Sequence, residues 1–183
     1  MKLFAIILGE DSNLWYYGGL LHDAGKLFVS KEILNGTNKL TTSEFEAVKK
    51  HSVAGAGIIK NMYAITDEQK KIGMICADFH HAWYNGKYDK EHEKGGYFRG
   101  MQYVDEFTFK GEAIPLVARA CSVCDVYEAL TADRSYSGRK SQEEAVKILY
   151  DGVSCGQFDI NLVNKFVKYI LKIDITKYIG LSV

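Results

Sequence analysis

Leu20-Leu21-His22-Asp23-Ala24-Gly25-Lys26 closes the first clear helical pattern in the chain. Leu14, Tyr17, Leu20 and Leu21 recur at i, i+3 and i+6/7, the spacing of one helix face, and lead directly into His22. A His beside an Asp cannot turn both side chains toward an apolar core, because neighbours on a helix diverge by about 100°. Both can reach metal ions lying near a helix end or between two helices. The adjacent pair His80-His81 poses the same problem and has the same solution. Imidazole and carboxylate together suit first-row metals that activate water, and two such ions a few ångströms apart suit phosphoester hydrolysis.

Outward from this stretch, helical spacing continues. Leu40-Thr41-Thr42-Ser43-Glu44-Phe45-Glu46 offers hydroxyl caps with acids in the first turn, and predicts a helix running toward Met62. A third helix is expected from Thr66 or Asp67 to His80-His81. A fourth should start with Pro115 at its first position, carry Asp125 and end near Arg134. Ser141-Gln142-Glu143-Glu144 caps a fifth, and residues 159–172 make a sixth. Residues 84–111 differ: Gly86, Gly95, Gly96, Gly100 and Gly111 lie among charges and aromatics, which reads as a long loop with room for a short hairpin. Such a loop directly after His80-His81 is expected to cover the metal cleft as a lid. The expected fold is all-α, a single domain over residues 1–183 with one elaborated glycine-rich loop.

Composition narrows the function classes. Lys+Arg and Asp+Glu are both 23, so generic binding to a nucleic-acid backbone or an anionic membrane gains no support. The apolar run at residues 3–8 is too short for a signal sequence or a membrane span, and a cytoplasmic, reducing compartment is expected. The four cysteines are too few and scattered for a disulfide framework. Cys121 and Cys124 form a CxxC inside the apolar run of residues 116–126, where they read as small core residues rather than a redox pair.

The stretch at residues 20–26 resembles the LLHDIGK signature of the HD phosphohydrolase superfamily. Later segments resemble its HD-GYP branch: Ile33-Leu34, Leu40-Thr41, Lys50-His51-Ser52 with Gly55 and Gly57, then His80-His81. Ile114-Pro115-Leu116-Val117-Ala118-Arg119, Cys124-Asp125-Val126-Tyr127 and Ala129-Leu130-Thr131-Ala132-Asp133-Arg134-Ser135-Tyr136 complete it, the last resembling the family's DALTSDRPY. The resemblance covers residues 19–166 and implies an HD-domain helical bundle. It implies His22, Asp23, His51, His80, His81 and Asp125 as ligands of two divalent ions, with Asp23 bridging. Iron or manganese is favoured, with magnesium, nickel and zinc as alternatives. It implies further that Lys26 and Arg134 hold substrate phosphate, and that Asp23 and Lys26 serve catalysis.

The implied activity is that of a bacterial signalling hydrolase: a metal-activated hydroxide opens a cyclic dinucleotide, cyclic di-GMP first among them. Three departures keep alternatives in play. The family places another metal-binding His or Glu about thirty residues before the HD pair, whereas only 21 residues precede His22 and none is histidine. Either the first helix is lost, or a carboxylate or water completes that metal; Glu10 and Asp11 are available but not at the matching spacing. Where the family has HHExxDGxGYP, this chain has His80-His81-Ala82-Trp83-Tyr84-Asn85-Gly86-Lys87-Tyr88, with a later Gly95-Gly96-Tyr97-Phe98. Ser137 stands where a basic residue is usual, with Arg139 or Lys140 as substitutes. The alternatives are an HD phosphohydrolase acting on another nucleotide, and a degenerate HD module that binds nucleotide or a partner without turnover. A homodimer or an attached signalling domain is left open.

Overall fold

In the computed structural model, which describes residues 1–36, 38, 40–86, 88–89, 94–95, 110–132, 138–176 and 178, helices follow one another closely. They are α1 (Lys2–Leu8), α2 (Ser12–Leu21), a 3-10 turn (Ala24–Phe28), α3 (Lys31–Leu34), α4 (Thr42–Lys49), α5 (His51–Lys60) and α6 (Asp67–Phe79). After a two-residue antiparallel hairpin, β1 (Tyr88–Asp89) with β2 (Lys94–Gly95), come α7 (Leu116–Thr131), α8 (Gln142–Ser154) and α9 (Ile160–Lys165). The last runs on into a π turn (Phe166–Ile170). The expected all-α fold is borne out.

Three helix starts use the same reciprocal cap. The Thr41 hydroxyl accepts from the Glu44 amide while Glu44 accepts from the Thr41 amide, and Thr66 with Gln69 and Ser141 with Glu144 repeat the exchange. Asp11 and Asp159 cap α2 and α9 with carboxylates.

The main core joins α1, α2, α6, α7, α8 and α9. Phe4, Trp15, Val117, Val146, Leu149, Tyr150 and Val163 are all buried in it, and truncating one such large side chain to alanine costs about 2–5 kcal/mol. A smaller cluster, Leu21, Ile59 and Ala77, ties α2, α5 and α6 together behind His22 and His51. Arg119 bonds the Ile114 carbonyl and forms a 2.6 Å ion pair with Asp159, both nearly buried, which fixes α7 to the start of α9. No helix among the described residues is long and apolar enough to cross a membrane.

Three local expectations are corrected. The helix expected from Thr42 toward Met62 divides at Lys50, because His51 Nδ1 donates to the Val48 carbonyl and turns the imidazole inward. The fourth begins one residue late, at Leu116, with Pro115 as its cap. It stops at Thr131, where the Thr131 hydroxyl donates to the Tyr127 carbonyl and Ala132 is extended, short of Arg134. The sixth keeps α geometry only through Lys165; Leu171 then donates to Phe166, the wider i→i−5 bond of a π turn, and Ile173 donates to Val167 just beyond it. The run at residues 3–8 lies within α1, which sends Phe4 and Ala5 into the core and ends at Gly9, whose φ of 77° suits glycine.

Most of residues 84–111 lie outside the described residues, including His92, so the expected lid is untested. The loop's described ends are fastened. Tyr84 and Asn85 donate backbone bonds to Gln157 and Gly156, and Gly111 donates to the Tyr84 carbonyl.

Candidate metal centre

Four elements deliver side chains to one point. His22 ends α2, His51 begins α5, His80 and His81 follow the last residue of α6, and Asp125 lies within α7. Asp23 and Lys26 come from the short turn after α2. The C-terminal ends of α2 and α6 carry partial negative charge, which favours a cation at this place.

The three imidazoles of His22, His51 and His80 are oriented alike. Each Nδ1 donates to a carbonyl of the preceding turn: Gly19 at 2.8 Å, Val48 at 2.6 Å and Cys76 at 2.8 Å. A proton held at Nδ1 leaves the Nε2 lone pair for a metal, and the backbone fixes each ring's direction.

The Nε2 atoms do converge. His51 Nε2 lies 3.3 Å from His80 Nε2 and 3.3 Å from Asp23 Oδ1, and His80 Nε2 lies 3.8 Å from that same oxygen. His22 Nε2 stands 3.4 Å from Asp23 Oδ2 and 3.5 Å from Asp125 Oδ1. Donor atoms of His51, His80 and His81 lie within 4.8 Å of one another, and so do those of His22, His80 and Asp125. Asp23 sits between the two groups, one oxygen toward each.

The donor set fits a cation. His22 Nε2 and Asp23 Oδ1 are buried with no hydrogen-bond partner, a cost of about 1–3 kcal/mol each that a metal removes. Burial lowers the His22 pKa, but the Asp125 and then the Asp23 carboxylate outweigh it and hold it up at about 11. Burial also opposes ionisation of Asp23 and Asp125, yet His22 pulls both below the usual carboxylate range, helped at Asp23 by His51 and Lys26. His80 is pushed down to about 4 by burial and by its neighbours His22 and His51, and His81 falls well below its usual value for the same kind of reason. The neutral imidazoles of His80 and His81 and the ionised carboxylates are the forms divalent metals need, while a metal at His22 would have to displace its proton.

Of the residues singled out in the sequence, seven come together here: His22, Asp23, Lys26, His51, His80, His81 and Asp125. Lys26 Nζ bonds Asp23 Oδ2 at 2.5 Å and remains about a third exposed. Arg134 lies outside the described residues. Asp11 is spent on capping α2.

Two features escaped sequence reading. Gly25 is pressed against α5: a Cβ there would lie 2.5 Å from the Gly55 amide nitrogen and closer still to the His51 carbonyl oxygen. The second is Glu128, one turn beyond Asp125, which lines a cavity of about 460 Å³ with His22 and Asp125. Its i+3 spacing from Asp125 was the available signal. Cys121 and Cys124 line this cavity too, and both are free thiols, the first in the core.

The family model described as HD domain matches residues 1–130. The chain belongs to the HD domain family. An HD domain implies divalent metal binding, and the two His-rich groups are the donors at hand. Among curated relatives, a 3'3'-cGAMP-specific phosphodiesterase 1 of Vibrio cholerae is 31% identical over 87% of this chain and 32% of its own length. A cyclic di-GMP phosphodiesterase of Pseudomonas aeruginosa, PA4108, is 33% identical over 83% and 31%. The cyclic di-GMP phosphodiesterase response regulator RpfG of Xanthomonas campestris is 31% identical over 71% and 29%. The HD-GYP-like character expected from the sequence agrees with these names. The chain spans about a third of the length of these relatives.

Proposed function

We propose that the chain is a metal-dependent phosphodiesterase that hydrolyses a cyclic dinucleotide, with cyclic di-GMP as the leading substrate. One observation carries this reading: three backbone-oriented imidazoles and two carboxylates meet at a buried point where polar atoms lack partners. Relatives named for cyclic di-GMP and 3'3'-cGAMP support the substrate class.

Two ions fit the two overlapping donor groups, His51, His80 and His81 on one side and His22, His80 and Asp125 on the other. Iron or manganese suits this imidazole-rich set. Bound divalent ions supply Lewis acidity toward water and toward phosphoryl oxygen. The chain's own residues do the positioning. Asp23 presents one oxygen to each group and holds both sides in register. Lys26, drawn to Asp23, keeps an exposed ammonium that can turn to a non-bridging phosphate oxygen as charge builds there. Arg134 would grip a phosphate with its planar fork, a role that rests on the resemblance alone.

A second reading, nucleotide binding without turnover, is favoured by Ala82 and Asn85, which replace the acidic residues expected after His80-His81. The test is product analysis. Purified protein loaded anaerobically with Fe(II), or with Mn(II), is incubated with cyclic di-GMP, 3'3'-cGAMP and a panel of other nucleotides. A linear dinucleotide as product supports the proposal. Turnover of other nucleotides alone would make it a different phosphohydrolase, and binding with no product would make it a sensor.

A further inference from the structure

The cavity of about 460 Å³ beside His22 and Asp125 adjoins the metal centre, which contributes His22, Asp23 and Asp125 to its lining. No lysine or arginine side chain lines it among the described residues; its charged groups are the carboxylates of Asp23, Asp125 and Glu128, the His22 imidazole and the terminal ammonium of Met1, which lies 4.0 Å from Cys124 Sγ. Cationic side chains lie instead around a neighbouring cavity of about 610 Å³, which carries Arg139 and Lys140 and shares Tyr127 with the first. Beyond these polar groups, much of the lining is apolar and aromatic. The π turn after α9 brings Phe166 and Ile170 to it, and Tyr127 packs edge-on against Phe166 with ring centroids 5.2 Å apart. A flat, uncharged ring suits such a wall, and the volume lies within the range of about 300–1,000 Å³ typical of small-molecule sites.

Glu128 gives this cavity its chemical direction. It stands on the face of α7 that carries Asp125, one turn farther on, and lines the same space. An ionised carboxylate offers two acceptor oxygens and no donor. Guanine presents two adjacent N–H donors on its Watson–Crick edge, N1–H and the N2 amino group, spaced for one carboxylate. Adenine presents a bare N1 acceptor there beside its N6 amino group, so a carboxylate meets it lone pair to lone pair.

We propose that this cavity is a nucleobase subsite in which Glu128 selects guanine over adenine. The proposal rests on the nucleotide substrate class put forward above, and deepens it. Glu128 is a specificity-determining residue, and the base stacks on the Phe166–Tyr127 wall while the phosphodiester lies at the metal centre. It takes no part in the bond that breaks.

The test is binding of mononucleotides to the metal-loaded protein by calorimetry, which reads base preference separately from turnover. Wild type is expected to bind GMP about 10- to 100-fold more tightly than AMP, the discrimination of a good bidentate pair. IMP, which keeps N1–H but lacks the N2 amino group, should fall between them. Glu128→Gln should bring the GMP:AMP ratio within twofold of one or reverse it, since an amide can pair with adenine's donor and acceptor. Glu128 is exposed, so folding of the variant is checked simply by its circular dichroism. Equal affinity for GMP and AMP in wild type, no measurable GMP binding, or an unchanged ratio in Glu128→Gln would each overturn the subsite. Failure to open any cyclic dinucleotide while the ratio behaves as expected would overturn the phosphodiesterase reading and leave the subsite standing.

Discussion

Replacing Gly25 by alanine should damage the site although Gly25 offers no functional group. The added Cβ would sit 2.5 Å from the Gly55 nitrogen and 2.7 Å from the His51 carbonyl carbon, against the 3.4 Å at which ordinary contact begins. Those neighbours are backbone of α5, which cannot rotate away as a side chain could. The turn and the helix must therefore part by roughly 1 Å or more, and overpacking of this kind costs about 1–3 kcal/mol. Asp23 and Lys26 ride on the turn, and His51 begins the helix, so the 3.3 Å approach of Asp23 to His51 opens by a similar amount. A misplacement of about 1 Å can cost about 100-fold in rate. The assay combines thermal melting with kcat/KM on cyclic di-GMP. A fall in Tm of about 2–12 °C, at about 2–4 °C per kcal/mol, and a rate loss near 100-fold are expected. Neighbouring glycines serve as graded controls. Gly55→Ala meets the Gly25 nitrogen at the milder distance of 3.1 Å, and Gly57→Ala, on the exposed face of α5, meets nothing within 4 Å, so it should stabilise the helix slightly. Equal behaviour of Gly25→Ala and Gly57→Ala would refute the reasoning.

Three other outcomes are expected from the same geometry. Lys26→Ala, and Arg134→Ala if the resemblance holds there, should keep bound metal yet lose about 10- to 1,000-fold in kcat/KM, with Arg134→Lys recovering only part; rates within twofold of wild type would make them surface cations. Asp159→Ala strands the nearly buried Arg119 and uncaps α9, so it should cost about 3–5 kcal/mol, a Tm drop of about 6–20 °C, and a drop below 2 °C would contradict the pairing. Metal uptake should be steeply pH-dependent. Burial works against a proton on His22, but Asp125 and Asp23 retain it up to about pH 11, so a metal must displace that proton. Apparent affinity should rise roughly tenfold per unit between pH 6.5 and 8, and metal titrations giving a flat profile would count against this.

Much of this was legible in the sequence because the deciding signals are local. A hydroxyl with Glu or Gln three residues later announces a helix start from four residues alone, and Thr41, Thr66 and Ser141 each form the cap they advertise. His-Asp and His-His neighbours likewise declare that no single apolar face can take both. What stayed hidden depends on contacts between distant residues. The break at Lys50 comes from the His51 ring bonding back to Val48, which makes sense only once the ring has metal-side partners from α2 and α6 to face. The role of Gly25 depends on how closely α5 passes, far along the chain. The π turn after Lys165 leaves no mark in the apolar spacing, yet it brings Phe166 and Ile170 to the cavity beside the metal centre.

The most direct test of the central claim is the metal content of the protein after anaerobic reconstitution with Fe(II) or Mn(II), measured by plasma mass spectrometry on wild type and Asp23→Ala. Asp23 faces both donor groups and sits in no apolar cluster, so its removal should empty the site while circular dichroism keeps its helical signal. Two equivalents in wild type and a loss of at least one in Asp23→Ala are predicted. No bound metal in wild type after reconstitution, or two equivalents retained in Asp23→Ala, would contradict the account.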